Sequence, residues 1–190
     1  METKRDLTKE LLAECFKKLL ETTPFDKITI KMITGEAGLI RPTFYKHFQD
    51  KYEVVEWIFK TEVTDQVDVL LEERRERDAC LLFFRALEKE RSFYRRCCQM
   101  DENPNSFLNV LTRYLYQRFL DFAGAYSGSI SGSKALTREM AASYYSYGMV
   151  NITEDWILRQ INCSADEFAD AALFLLTHSI RDLPDAHDIH

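Results

Sequence analysis

The chain has 190 residues, 46% of them hydrophobic and 29% charged. These are the proportions of an ordinary soluble globular protein long enough to bury a core in one or two domains. No apolar run approaches the roughly 18 residues that a membrane span requires. The charge-alternating stretch from Met1 to Glu10 offers no apolar core for an export signal, so a cytoplasmic location without membrane attachment is expected. The net charge of −6 argues against a uniformly basic surface, but it is unevenly spread. Residues 1–51 hold ten Lys/Arg against eight Asp/Glu, and residues 52–190 hold fifteen against twenty-three. Five cysteines, an odd number without framework spacing, read as reduced and mostly buried thiols.

Apolar residues recur at helical spacing almost throughout, which predicts an all-α fold. Leu7, Leu11, Cys15 and Leu19 form one stripe of a first helix, with charged residues opposite, and the helix ends before Thr23-Pro24. Thr29 is placed to cap a second helix, which Gly38 ends by supplying a positive φ. Pro42 suits the first position of a short third helix running to about Phe48. Phe44 and Phe48 anchor that helix, leaving Thr43, Tyr45, Lys46 and His47 outside. A long fourth helix is predicted from Asp50-Lys51 to about Glu73, followed by an exposed charge cluster to Asp78. Helices are then expected over 80–89, 91–99 and 106–122. A Gly/Ser-rich loop over 124–133 follows, then two final helices over 136–160 and 165–180, the second opened by the capping-box spacing Ser164 to Glu167.

Three short helices with a glycine turn before the third are the geometry that sets a helix into the DNA major groove. Arg41, Lys46 and Lys51 bring positive charge to this third helix, and Thr43, Tyr45 and His47 bring hydrogen-bonding groups. The amides opening the helices that begin after Thr29 and at Lys51 offer dipolar anion sites. Spacing alone leaves open a helical hairpin that never meets DNA. The pairing of Tyr, Lys and His on one side of so short a helix with two Phe on the other favours DNA.

The string from Ile28 to Lys51 resembles the DNA-binding signature of TetR/AcrR regulators, with the Ala37-Gly38 turn, Tyr45, Phe48 and Lys51 at the family's spacing. The resemblance covers about the first quarter of the chain. It implies a helix-turn-helix head over 1–51 and an all-helical ligand- or partner-binding and dimerisation domain over 52–190. It further implies a homodimer on a palindromic double-stranded DNA operator, controlled by a small molecule or a protein partner. By position, Thr29, Lys31, Arg41, Pro42, Thr43, Tyr45, Lys46, His47 and Lys51 would face DNA. Ile40 departs from the pattern, standing where the family often has a capping Ser or Thr. The segments Pro24–Thr29 and Trp57–Phe59 also resemble a subgroup containing activators of dihydroxyacetone kinase operons.

In the body, Trp57, Phe83, Phe84, Phe93, Tyr94, Tyr114, Tyr144 and Tyr147 are candidates to line a pocket, although aromatic stripes at helical spacing equally build plain bundle cores. The resemblance assigns the last two long helices to the dimer interface, with Met149, Ile152, Trp156, Phe168, Leu173 and Leu176 buried there. No Gly-rich phosphate loop, metalloprotease motif or nucleophile elbow is present, so no enzyme and no cofactor are expected. Asp185, His187, Asp188 and His190 have ligand chemistry, but a chain end does not preorganise a metal site and no metal is expected. The alternative to a DNA-reading regulator is a helical adaptor or co-activator using the same head fold to contact a protein.

Overall fold

The computed structural model describes residues 4–100, 103–125 and 136–183. Most of the expected Gly/Ser loop, the acidic residues opening the break before Asn103, and the tail holding His187 and His190 lie outside the described residues. Among the described residues all regular structure is helical: α1 (Lys4–Thr22), α2 (Ile30–Glu36), α3 (Arg41–Tyr45), α4 (Lys51–Phe59), α5 (Asp65–Glu72), α6 (Glu76–Lys89), α7 (Arg91–Cys98), α8 (Phe107–Ala125), α9 (Arg138–Ile157) and α10 (Ala165–Thr177). No helix among them is long and apolar enough to cross a membrane.

Local chemistry accounts for many boundaries. Thr29 Oγ1 accepts from the Met32 amide at 3.3 Å and starts α2. Ser164 and Glu167 form a reciprocal capping box on α10. Gly38, at φ +64°, closes α2, with Leu39 N–H bonding back to Thr34 O at 2.8 Å. Arg74 and Arg159 occupy the same left-handed region at φ 60° and 64°. After α5, Arg75 N–H bonds to Leu70 O at 2.9 Å; after α9, Gln160 N–H bonds to Asp155 O at 2.8 Å. Three helices thus end in one motif, and only one of them uses glycine.

The long fourth helix is not uninterrupted as expected. A π-helical turn at Lys60–Thr64 separates α4 from α5, an insertion that shifts the helical register by about one residue. Glu62 in this turn faces α1, where Lys17 Nζ bonds both of its carboxylate oxygens at 2.7 Å. Lys17 also lies 3.6 Å from Glu90 and over the Phe93 ring. Phe16 meets Phe93 edge-on at 6.4 Å, and Arg96 donates to Glu21 O at 2.8 Å. These contacts fasten α1 to α7 and to the π turn.

Around α6 the body is built from α8, α9 and α10. Phe84 meets Phe168 at 4.9 Å and Trp156 at 5.7 Å, while Arg85 holds Asp166 through two 2.6 Å bonds. Arg91 is buried with its guanidinium 3.9 Å above the Trp156 ring, and it donates to Trp156 O at 2.6 Å. Stacking and a charge-assisted bond together tie the start of α7 to the end of α9.

Candidate nucleic-acid interface and body cavity

In the head, the side of α3 that faces inward is apolar and closed. Phe44 is fully buried and Phe48 nearly so, their ring centroids 5.7 Å apart. Helix α3 is shorter than the sequence implied, ending at Tyr45 with a turn through Lys46 and His47. Its outer side presents Arg41, Pro42, Tyr45 and Lys46 to solvent, with Thr43 and His47 half-buried. The Arg41 guanidinium reaches the Tyr45 hydroxyl at 3.5 Å. Thr29 and Lys31 are exposed beside them on the neighbouring helix.

The electrostatics of this face are cleaner than the head's net charge suggests. From Ala37 to Gln49 there is no Asp or Glu. Several other cations of the head are engaged: Lys17 by Glu62, Lys18 by Glu36 and Lys27 by Asp26, while Lys9 lies over the Phe48 ring. The Glu36 hydrogen bond raises the Lys18 pKa, and Lys27 lowers that of Asp26. Among the described residues Lys31, Arg41 and Lys46 form no ion pair with a carboxylate, so their charge is available to an outside anion.

Two anion-binding expectations change at the start of α4. The Asp50 carboxylate accepts from the Tyr52 and Glu53 amides at 2.8 and 2.9 Å. The chain's own carboxylate therefore fills the anion site expected there. Lys51 turns its ammonium toward the turn before α2, donating to Phe25 O at 2.6 Å and Ile28 O at 3.1 Å, and lying 4.3 Å from the Phe25 ring centroid. It is placed to hold the head together. Ile40 caps α3 without a side-chain bond and is 67% exposed, an apolar group in the midst of the polar face.

The aromatics expected to line a pocket divide into three groups. Phe83, Phe84 and Tyr114 do border a cavity of about 650 Å³ between α5, α6, α8, α9 and α10. Trp57 instead packs on Phe48, Phe93 on Phe16, and Tyr94 is buried against Phe107. Tyr144 and Tyr147 point outward, 75% and 61% exposed. Tyr145 also borders the cavity, and sequence reasoning missed Phe119 and Phe122 in the wall. The spacing of Tyr114, Arg118, Phe119 and Phe122 along one side of α8 was the available signal.

Two members of the expected interface set, Trp156 and Phe168, need correction. Trp156 and Phe168 are 0% and 4% exposed within the protomer's own core, and Met149, Leu173 and Leu176 border the cavity. Ile152 is half-buried. The outward row on α9 is Met140, Tyr144 and Tyr147, residues whose spacing of four and three keeps them on one stripe.

In the cavity wall, Tyr114 donates to Asp68 at 2.8 Å, and burial followed by that bond pushes its hydroxyl pKa up. Burial likewise raises the Cys80 thiol to about 12. No group of three His, Cys, Asp or Glu able to hold a metal occurs among the described residues.

Residues 17–58 match the family model described as bacterial regulatory proteins, tetR family. Residues 77–178 match that of a transcriptional regulator C-terminal region. The HTH-type dhaKLM operon transcriptional activator DhaS of Lactococcus lactis is 25% identical over 117 residues, which make up 59% of this chain and 63% of that relative. The match thus spans less than two thirds of the relative's length. Among solved structures, the dihydroxyacetone kinase operon activator DhaS superposes with a TM-score of 0.62 at 20% identity, covering 90% of this chain and 94% of that one. NalD, the secondary repressor of the MexAB-OprM multidrug efflux pump in Pseudomonas aeruginosa, superposes with the same TM-score at 17% identity, covering 88% and 93%. The chain belongs to the TetR family of bacterial transcriptional regulators.

Proposed function

We propose that this regulator works in the cytoplasm as a homodimer whose two heads, residues 1–51, read the half-sites of a palindromic operator. The body, residues 52–190, dimerises and receives the controlling ligand. The observation that carries this reading is the run from Ala37 to Gln49 without Asp or Glu, where Arg41 and Lys46, together with Lys31 of α2, form no ion pair among the described residues. Lys31, Arg41 and Lys46 bind phosphates. Thr29, Thr43, Tyr45 and His47 supply hydrogen bonds to backbone or base edges, and Pro42 fixes the start of the reading helix. Ile40 offers the kind of apolar contact that a thymine methyl accepts. Lys51 contributes by positioning, since its ammonium already holds the turn before α2.

The exposed row Met140, Tyr144 and Tyr147 on α9, with Leu175 on α10, is the surface a second copy would cover, placing the final two helices at the interface. Control acts through the cavity in the body, by shifting the population of head spacings that fit the operator. Activity lies in DNA occupancy, not in chemical turnover. The test is selection of bound DNA from a random pool, followed by titration of the enriched site. Recovery of a palindrome bound by a dimer supports the reading. A folded protein that enriches no sequence and shows no salt-dependent binding contradicts it.

A further inference from the structure

We propose that the body cavity selects a bulky, largely apolar molecule carrying a positive charge. The inference rests on the reading above, in which this cavity takes the controlling ligand, and adds the ligand's chemistry. A volume of about 650 Å³ falls in the range of sites that enclose drug-sized molecules. Its wall carries the rings of Phe83, Phe84, Tyr114, Phe119, Phe122 and Tyr145, and ring faces attract cations while adding large apolar contact. A small, heavily hydroxylated molecule would leave most of this wall unfilled and find few partners for its hydroxyls.

The charges decide the sign. Among the described residues Arg118 is the one cation of the wall, and it is already held by Asp68 at 3.4 Å and Asp121 at 3.3 Å. An anionic ligand would have to displace those carboxylates. Glu76, the other charged wall residue, forms no ion pair among the described residues. Its neighbours Arg75 and Arg77 are engaged by Glu73, Asp78 and Asp170, and neither Arg belongs to the wall. The wall's one guanidinium is thus already neutralised by carboxylates behind it, while its one carboxylate, Glu76, has no ion-pair partner among the described residues. A diffuse, poorly hydrated cation loses little on leaving water and gains from both the rings and Glu76.

The test uses tetraphenylphosphonium and tetraphenylborate, ions of matched shape and opposite charge. Trp156 meets the wall residue Phe84 edge-on at 5.7 Å, so its fluorescence in a Trp57→Phe protein reports occupancy. The phosphonium should bind at least about tenfold more tightly than the borate, and Glu76→Gln should narrow that ratio by about threefold. Equal or tighter borate binding, an unchanged ratio in Glu76→Gln, or no response of Trp156 to either ion overturns the proposal. DNA binding without any probe is measured in the same preparations. A protein that discriminates the two ions but whose DNA affinity ignores saturating phosphonium would contradict the regulatory reading and leave the cavity's preference standing.

Discussion

Phe44 and Phe48 of the head pack directly on each other with 0% and 2% exposure, whereas Phe83, Phe119 and Tyr145 of the body stand around an open cavity. The same kind of side chain closes one region and leaves space in the other. The head must hold α3 and its cations in fixed register on a repeating phosphate lattice, and solid packing resists deformation. The body must admit a molecule and respond to it, and a wall missing contacts on one side yields at lower cost. The π turn at Lys60–Thr64 and the Lys17–Glu62 bridge join the two regions, so a shift in the cavity wall has a short mechanical route to α1.

The largest expected effect breaks the closed side of this comparison. Phe44→Ala should cost about 3–5 kcal/mol by urea unfolding, and it should abolish DNA binding. Phe119→Ala, removing a half-buried ring from the cavity wall, should cost less than half as much. Equal losses would mean that the cavity is as tightly packed as the head.

Lys51→Met should cost roughly 1.5–3 kcal/mol through lost charge-assisted bonds to Phe25 O and Ile28 O. It should weaken DNA binding without changing how steeply binding falls with salt. A salt slope reduced by about two per dimer would instead make Lys51 a phosphate contact.

Ile40→Ala should weaken operator binding by about fivefold, a loss of about 1 kcal/mol. The loss should vanish on DNA in which deoxyuridine replaces thymidine at the contacted step, because only the methyl group differs. An equal loss on both DNAs would contradict the apolar contact.

A further contrast between the regions is one of pH. Burial holds the body thiols of Cys80 and Cys98 up at about 12, from 9.0. The unfolded thiols ionise near 9.0 while the folded ones stay protonated, so their stabilisation is present below pH 9 and declines as pH rises toward 12. The midpoint of thermal unfolding should fall over this window, and Cys98→Ala should flatten the fall. An identical slope in the variant would place the alkaline sensitivity elsewhere.

Local chemistry made much of the head legible in the sequence. The Thr29 cap, the Gly38 turn, Pro42 at the start of α3 and the Ser164–Glu167 box each depend on residues within a few positions of one another. The left-handed ends at Arg74 and Arg159 carry no such mark, because neighbouring bonds impose on arginine a conformation usually given to glycine. The bonds of Lys51 to Phe25 O and Ile28 O left no mark in the sequence, because these partners lie more than twenty residues away. Trp156 and Phe168 read as interface for a similar reason. Periodicity assigns a residue to a helix side, but it does not say whether that side meets another helix of the same chain or a second copy. The cavity, bordered by five helices spread from α5 to α10, was visible only in part, through its aromatic composition.

The claim that the head binds DNA through its unpaired cations is tested most directly by the salt dependence of binding to the selected palindrome. Lys31, Arg41 and Lys46 from two heads make about six phosphate contacts, which predicts a slope of log affinity against log salt near −5. Lys46→Ala should reduce that slope by about two for the dimer. A slope near zero, or one unchanged by removal of Lys46, would contradict the account.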